Sequence, residues 1–303
     1  MKIAIIGSGA MGSLYGGYLS KAKNEVYLVD IWKEHIEKIN NEGLKILEKD
    51  DVLTVNPKGV VDSKEVGKVD LAIVFVKSIA TKKALESNSS IFDDNTMVLS
   101  LQNGYGNVED IEKFAKSENI IAGTTSHGAT LLGPGKIKHA GKGKTIIGKA
   151  KGENDSRLSE IKAALENAGF ETDLSDNVME IIWSKLLVNI GINALTAVLE
   201  IENGRLTEWE ESEELVALAV REAVKVANNS GLQFNDEEVI EHVLEVAKAT
   251  AENKSSMFQD ILNKRKTEIE KINGAVVKIG KDNGVETPVN ETLTNLVKIK
   301  EKL

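Results

Sequence analysis

The sequence predicts an α/β N-terminal domain followed by an all-α C-terminal domain. Three observations carry that expectation. Short apolar runs alternate with helical patterns over roughly the first 175 residues. A glycine-rich turn follows the first of those runs directly. Near residues 175–180 the texture changes to long helical periodicity, which continues to the end of the chain.

Taken in order, residues 2–6 (KIAII) read as a short buried strand and 13–23 as a helix. Residues 25–29 (EVYLV) are a second strand ending at Asp30, and 33–42 are charged and helical. Residues 45–61 look like short connecting strands. Residues 70–76 (DLAIVFV) and 97–101 (MVLSL) are apolar enough for strands buried on both faces. Residues 119–123 and 144–149 add further β character. Such alternation means βαβ units and a parallel sheet. Beyond the change, 177–199, 212–230, 236–253 and 257–283 read as helices. Pro57, Pro134 and Pro288 fall in loops or at element edges, and no internal repeat is visible. A chain of 303 residues is too long for one ordinary core. The expected division is 1–175 and 176–303.

Composition excludes several function classes. A net charge of -9 with no Lys/Arg-rich run leaves no footprint for nucleic acid or an anionic membrane surface. Without cysteine there is no disulfide, thiol nucleophile or thiolate metal site, and no other metal-ligand cluster stands out. The first apolar run is too short for a signal peptide, and no stretch reaches the ~18 consecutive apolar residues of a membrane span. A cytoplasmic protein is the expectation.

Gly7-Ser8-Gly9-Ala10-Met11-Gly12 is a GxGxxG placed directly after a buried strand and opening a helix. That context reads as a Rossmann dinucleotide-binding loop. Gly7 makes the turn, Gly9 lets the backbone approach a pyrophosphate, and Gly12 lets helix and strand pack closely. The phosphates would meet free N–H groups and the positive end of the helix dipole. Asp30 ends the second strand 18 residues after Gly12, where an acid takes the ribose hydroxyls of NAD. A 2′-phosphate would meet that carboxylate, so NADH is favoured. Lys77 follows the third buried strand, at the end that faces a ligand crevice. It is either a cofactor or substrate contact or a solvated strand-end lysine. Asn103, at the equivalent end of the next strand, either offers an amide to cofactor or substrate or forms an Asn-Gly turn.

Residues 179–199 (MEIIWSKLLVNIGINALTAVL) are apolar almost all round, as in a buried helix. Yet Lys185, Asn189 and Asn193 stand four apart and share one face. Burying a lysine and two amides without partners costs several kcal/mol. The stripe therefore reads as the wall of a wet cleft, against a solvated stripe on an amphipathic helix. Farther on, Ser256 is a candidate helix cap, Asp260 follows it by four, and Glu268 lies in KTEIEKING. Those three residue types are equally ordinary as structure.

Taken together, GSGAMG, the Val-Lys pair ending at Lys77, QNGYGN (102–107), GTTSHGA (123–129), WSKLLVNIGINALTA (183–197), SSMFQDI and KTEIEKING resemble the ketopantoate reductase (2-dehydropantoate 2-reductase) family. The resemblance spans essentially the whole chain. It implies an N-terminal Rossmann domain, a helical C-terminal domain, and NADPH as cofactor, where Asp30 favours NADH. It implies Lys185 as the general acid, and Asn103, Asn189 and Asn193 as amides around nicotinamide and substrate. Ser256 is implied as a donor to the substrate carboxylate, Glu268 as the anchor of the substrate hydroxyl, and Asp260 in support. Two departures bear on the cofactor. Asp30-Ile31-Trp32-Lys33 stands where NADPH-selective members carry an arginine, and Ala80 replaces a glutamine found in some members.

The resulting expectation is reduction of 2-dehydropantoate to (R)-pantoate. One competing reading is an NAD-dependent D-2-hydroxyacid dehydrogenase acting on another branched or aromatic 2-oxo acid. A noncatalytic nucleotide sensor is the other, and the Lys185–Asn189–Asn193 stripe argues against it. The partner expected is a small 2-oxo acid, and a homodimer is the assembly considered.

Overall fold

The computed structural model describes residues 1–49 and 51–303. Residue 50, inside the expected strands at 45–61, lies outside the described residues. The chain divides into two compact units. Residues 1–102 and 107–181 make the first, and residues 103–106 with 182–303 make the second. The boundary thus falls at 181/182 rather than 175/176, and a four-residue loop of the N-terminal range belongs to the second unit.

The first unit runs β1 (Lys2–Ile6), α1 (Ala10–Lys21), β2 (Glu25–Val29), α2 (Lys33–Glu42), β3 (Leu44–Leu47), β4 (Val52–Val55) and β5 (Lys58–Val60). It continues with β6 (Leu71–Val74), α3 (Thr81–Ser87), β7 (Met97–Ser100), α4 (Asn107–Ile111), β8 (Ile120–Thr125), β9 (Gly128–Gly133) and β10 (Lys136–Gly141). It closes with β11 (Thr145–Lys149), α5 (Ser156–Asn167) and β12 (Thr172–Leu174).

Eight strands form the main sheet in the order β12-β11-β8-β7-β6-β1-β2-β5. β1 is central because it is apolar on both faces. Ile3 and Ile5 pack with Leu14, Tyr15 and Leu19 of α1. Ala4 and Ile6 pack on the other side with Leu85 and Ile111. Successive strand side chains point to opposite faces, so one short strand feeds two cores. The chain leaves β1 towards β2 and β5, then returns to β6 on the other flank. The strand ends at that reversal form a ligand crevice in open parallel sheets.

The expected all-parallel sheet has one exception, since β11 runs antiparallel to β8. Parallel neighbours need a crossover, usually a helix. Between β8 and β11 the chain makes only the β9–β10 hairpin, which periodicity did not reveal. That hairpin joins β3 and β4 in a second, four-stranded sheet, order β4-β3-β10-β9. This sheet lies against α1 at Gly17, where a Cβ would come within 2.7 Å of Ile46.

α6 (Val178–Leu199) enters the second unit at Ile182. α7 (Glu210–Asn229), α8 (Asp236–Ala249), α9 (Ser256–Leu262), α10 (Asn273–Asn283) and α11 (Pro288–Lys300) follow. The helix expected over 257–283 is in fact α9, a turn, and α10. Lys264 adopts φ +52°, and Arg265 N–H folds back on the Asp260 carbonyl, which ends α9. α11 was not anticipated. Pro288 opens it, a position where a missing N–H costs nothing. By length and composition α6 would pass for a membrane span, contrary to the sequence-based expectation. Its apolar side chains, Trp183, Leu187, Ile190 and Leu195 among them, sit instead in the core of the helical unit.

Gly12 marks the closest approach in the first unit. A Cβ there would stand 1.9 Å from the Gly7 carbonyl oxygen. A helical Gly→Ala change ordinarily stabilises by about 1 kcal/mol. Here the sign should reverse. Gly12→Ala should lower the unfolding free energy by about 3 kcal/mol, as overpacking does. Denaturant titration of both proteins checks it; equal or higher stability in the variant would show that α1 can slide away from β1.

Candidate active site

The glycine loop is built to present backbone N–H groups. Gly7 adopts φ +93°, where a Cβ would strike Val76. Its N–H is taken by Val29 O. Gly9 is the N-cap of α1, and no side chain caps that terminus. Nothing lies within 4 Å of where a Gly9 Cβ would be. The first turn of α1 thus begins at an uncapped terminus beside open space, which fits a pyrophosphate. Ala10 and Met11 supply N–H groups of that turn.

Asp30 braces the same loop. Its Oδ2 accepts from Ser8 N at 2.7 Å and from Ser8 Oγ at 3.2 Å, while Oδ1 accepts from Trp32 N at 3.0 Å. The carboxylate is therefore a strut between the end of β2 and the loop as well as a candidate ribose acceptor. Lys77 is half-buried at the end of β6, next to the Val76 that touches Gly7. Gln102, not singled out from sequence, ties β7 to this end of the sheet. Its Nε2 donates to Val76 O and to Thr81 Oγ, each at 2.7 Å.

In the helical unit, Lys185 and Asn189 are half-buried and Asn193 is buried on the same face of α6. Lys185 and Asn193 stand about 12 Å apart along the axis. Lys185 sits low in water and near Glu268. Loss of hydration pushes its ammonium down to about 8, and the Glu268 carboxylate opposes that fall. Asn103 Nδ2 lies 3.4 Å from Glu268 Oε2. The helical unit therefore gathers a lysine, a carboxylate and an amide from three separate stretches of chain.

Asn103 reaches this group because its loop is docked on the second unit. Tyr105 N donates to Lys271 O at 2.8 Å, and Lys271 Nζ donates to Gly106 O at 3.2 Å. The rings of Tyr105 and Trp183 meet at 5.3 Å. Gly104 has φ +84°, and a Cβ there would stand 2.5 Å from Lys271 O. Lys271 was missed as a contributor. KTEIEKING shows it in sequence, but only the turn geometry reveals its carbonyl as a docking point.

Two sequence expectations need correction. Ser255, not Ser256, caps α9: its Oγ accepts from Phe258 N at 3.1 Å. Ser256 is exposed at the first helical position, which leaves its hydroxyl outside the cap. The Ser255 hydroxyl lies 2.8 Å from Thr196 Oγ, one turn from Asn193, so Ser256 stands near the far end of the polar stripe. Glu268 is on the turn after α9 rather than on a helix face with Ser256 and Asp260. Among the described residues no metal-binding group of His, Asp or Glu occurs.

Residues 3–152 match the family described as ketopantoate reductase PanE/ApbA, and residues 177–301 match its C-terminal domain. The 2-dehydropantoate 2-reductase of Halobacterium salinarum is 37% identical, over 100% of this chain and 99% of its own. That of Pyrococcus horikoshii is 39% identical, over 100% and 98%. Among solved structures, D-mandelate dehydrogenase with NADH and anilino(oxo)acetate aligns with a TM-score of 0.95 at 36% identity, covering 100% and 98% of the two chains. With an N-terminal α/β domain and a helical C-terminal domain, the chain belongs to the ketopantoate reductase family of NAD(P)-dependent oxidoreductases.

Proposed function

We propose that the chain reduces 2-dehydropantoate to (R)-pantoate, as a soluble cytoplasmic step towards pantothenate and coenzyme A. The observation that carries this reading is Glu268. It lies by Asn103 and acts on Lys185, so an acceptor for a substrate hydroxyl stands in the field of the candidate acid. Full-length relatives with that activity support it. In functional terms residues 1–175 serve the dinucleotide and residues 176–303 serve substrate and catalysis. Asn103 is the N-terminal residue lent to the second group.

Bound NAD(P)H supplies a hydride to the ketone carbon. Gly7, Ser8, Gly9, Ala10, Met11 and Gly12 would hold its phosphates, with Asp30 at the ribose and Lys77 and Asn103 as further contacts. The Lys185 ammonium stabilises the charge that builds on the ketone oxygen and gives it a proton, leaving a neutral amine. Asn189 and Asn193 orient the substrate along α6, and Ser256 donates to its carboxylate. Glu268 accepts from the primary hydroxyl and keeps Lys185 charged.

A second reading has its own support. D-mandelate dehydrogenase, 36% identical, was solved with NADH and an oxo-acid analogue. An NAD-dependent reductase of another branched or aromatic 2-oxo acid would keep the lysine chemistry and leave Glu268 without a hydroxyl to hold. Turnover of ketopantoate, 2-oxoisovalerate and benzoylformate with both cofactors separates the two.

Lys185→Ala should lose roughly 10²–10⁴-fold in kcat while binding NADH as before. The acid must be protonated, and its value is about 8. The wild-type kcat/KM for reduction should therefore fall as pH rises through about 8. Glu268→Gln removes the charge that raises Lys185, so this limb should move to lower pH. A Lys185→Ala enzyme with near-normal kcat would make the lysine structural.

Glu268→Ala should raise KM for ketopantoate far more than for 2-oxoisovalerate, which lacks the hydroxyl. Steady-state kinetics on the two acids decide this, and an equal loss on both would favour the second reading.

The cofactor balance should follow Asp30. NADH should serve at least as well as NADPH. Asp30→Ala should weaken NADH, since the strut to Ser8 is lost, yet shift the NADPH:NADH ratio of kcat/KM upward by about tenfold. A wild-type preference of about a hundredfold for NADPH would overturn the assignment.

A further inference from the structure

His35, on α2, belongs to none of the groups above, yet its ring is wholly buried under the glycine loop's support. Gly135 N, at the β9–β10 turn, lies 3.1 Å from its Nδ1. A peptide N–H can only donate, so Nδ1 is the acceptor and the ring proton is on Nε2. Nε2 lies 3.2 Å from Ser13 Oγ. With the ring donating, the Ser13 hydroxyl is free to donate onward, and it does so to Ser8 O at 2.7 Å. Every bond runs the same way, from hairpin peptide to imidazole to hydroxyl to loop carbonyl. Ser13 and Ser8 are as buried as His35. The Trp32 ring stacks on His35 at 4.9 Å and 13°. Trp32 and Ser8 are both held by Asp30, which closes the circuit.

The carbonyl at the end of that chain matters because a peptide unit is planar and trans. Ser8 C=O and Gly9 N–H belong to one such unit and point in opposite directions. Holding Ser8 O inward turns Gly9 N–H outward, at the uncapped start of α1. We infer that His35 is a positioning residue for the dinucleotide, setting the aim of the Gly9 N–H through Ser13 and Ser8. The inference rests on reading this loop as the NAD(P)H cradle.

Only neutral imidazole can serve. An imidazolium would set an Nδ1–H against the Gly135 N–H. Burial holds His35 below the ordinary imidazole value, and the Asp30 carboxylate and the Ser8 backbone carbonyl work against that. From the other elements packed on it, α1 offers the uncharged Ser13, and the hairpin turn offers the Gly135 backbone. Lys136 follows that turn, Lys38 of α2 packs against Gly135, and Lys45 of β3 bonds the Gly135 carbonyl through its backbone. Glu34 adjoins His35 on α2. The folded value is lowered, so the working form is present at neutral pH and is lost as pH falls through that value.

Three measurements on the full chain test this. NADH affinity is titrated by fluorescence for wild type, His35→Phe and His35→Gln between about pH 8 and pH 5. Phe keeps the stack and loses both hydrogen bonds; Gln returns a nitrogen donor where Nε2 was. His35→Phe should bind NADH about tenfold more weakly, with kcat at saturating NADH little changed, and His35→Gln should recover most of the loss. Wild-type affinity should fall on the acid side more steeply than that of His35→Gln. Nitrogen NMR of the four histidines should place the His35 proton on Nε2. Should His35→Phe not fold, Ser13→Ala breaks the same chain and carries the same expectation. Unchanged NADH affinity in a folded His35→Phe or Ser13→Ala protein, or a proton on Nδ1, overturns the inference. A wild type that binds neither NADH nor NADPH overturns the cradle reading instead.

Discussion

Where α1 begins, a carbonyl oxygen occupies the space a Cβ of Gly12 would need. That contact between Gly12 and Gly7 is the constraint on which the first unit is arranged. It brings the helix N-terminus directly over the end of β1, so the dipole and the uncapped N–H groups face the crevice. Such a terminus is costly to leave unbraced, and the bracing comes from several directions. Asp30 holds Ser8 from the end of β2, and Ser13 holds the Ser8 carbonyl from within α1. The four-stranded sheet reaches the same loop through Gly135 and His35. A hairpin that looks like an insertion into a simple sheet is thereby a brace for the glycine loop.

The helical unit solves a different electrostatic problem. A lysine on an otherwise apolar helix loses hydration, and its ammonium is disfavoured. Glu268 returns part of that stabilisation without capturing the proton outright. The balance leaves Lys185 near 8, so it is mostly charged at neutral pH and, in the proposed role, would release its proton to an alkoxide more readily than an ordinary lysine. Arginine would hold its proton too firmly for that role. Burial and one carboxylate set the proton affinity of this lysine.

What could be read from sequence follows the range of the interactions involved. β1, the glycine loop, β2 and Asp30 are local, and their spacing alone located them. The Lys185–Asn189–Asn193 stripe needed only helical geometry. The antiparallel β11, the β9–β10 hairpin and α11 were not legible, because pairing partners far apart in sequence decide them. The break at Lys264 was missed because Leu262 and Ile269, the apolar residues on either side, are seven apart and so in helical phase, although Lys264 between them takes φ +52°. Ser256 was mistaken for a cap because the two adjacent serines are indistinguishable until backbone geometry selects Ser255. His35 lies on a helix read from sequence only as charged; its partner Gly135 is a hundred positions away and so invisible to local pattern.

Glu268 stands on a turn rather than within a helix. Its neighbour Thr267 is fixed by the Glu301 carboxylate, which accepts from Thr267 N at 2.8 Å and from its hydroxyl at 2.6 Å. The turn is therefore tied to the end of α11, whereas Lys185 rides on α6. The lysine and the carboxylate, the proposed acid and the proposed hydroxyl anchor, thus sit on separate supports inside one unit. On the proposed function, a change at the turn would alter which side chain of the oxo acid is accepted while the lysine keeps its surroundings, apart from the charge of Glu268 itself. That coupling is the limit on such freedom. Replacing Glu268 to admit an apolar substrate also removes the charge that keeps Lys185 protonated. A dehydrogenase for hydroxyl-free acids that dispensed with this carboxylate would need another way to hold its lysine charged at neutral pH.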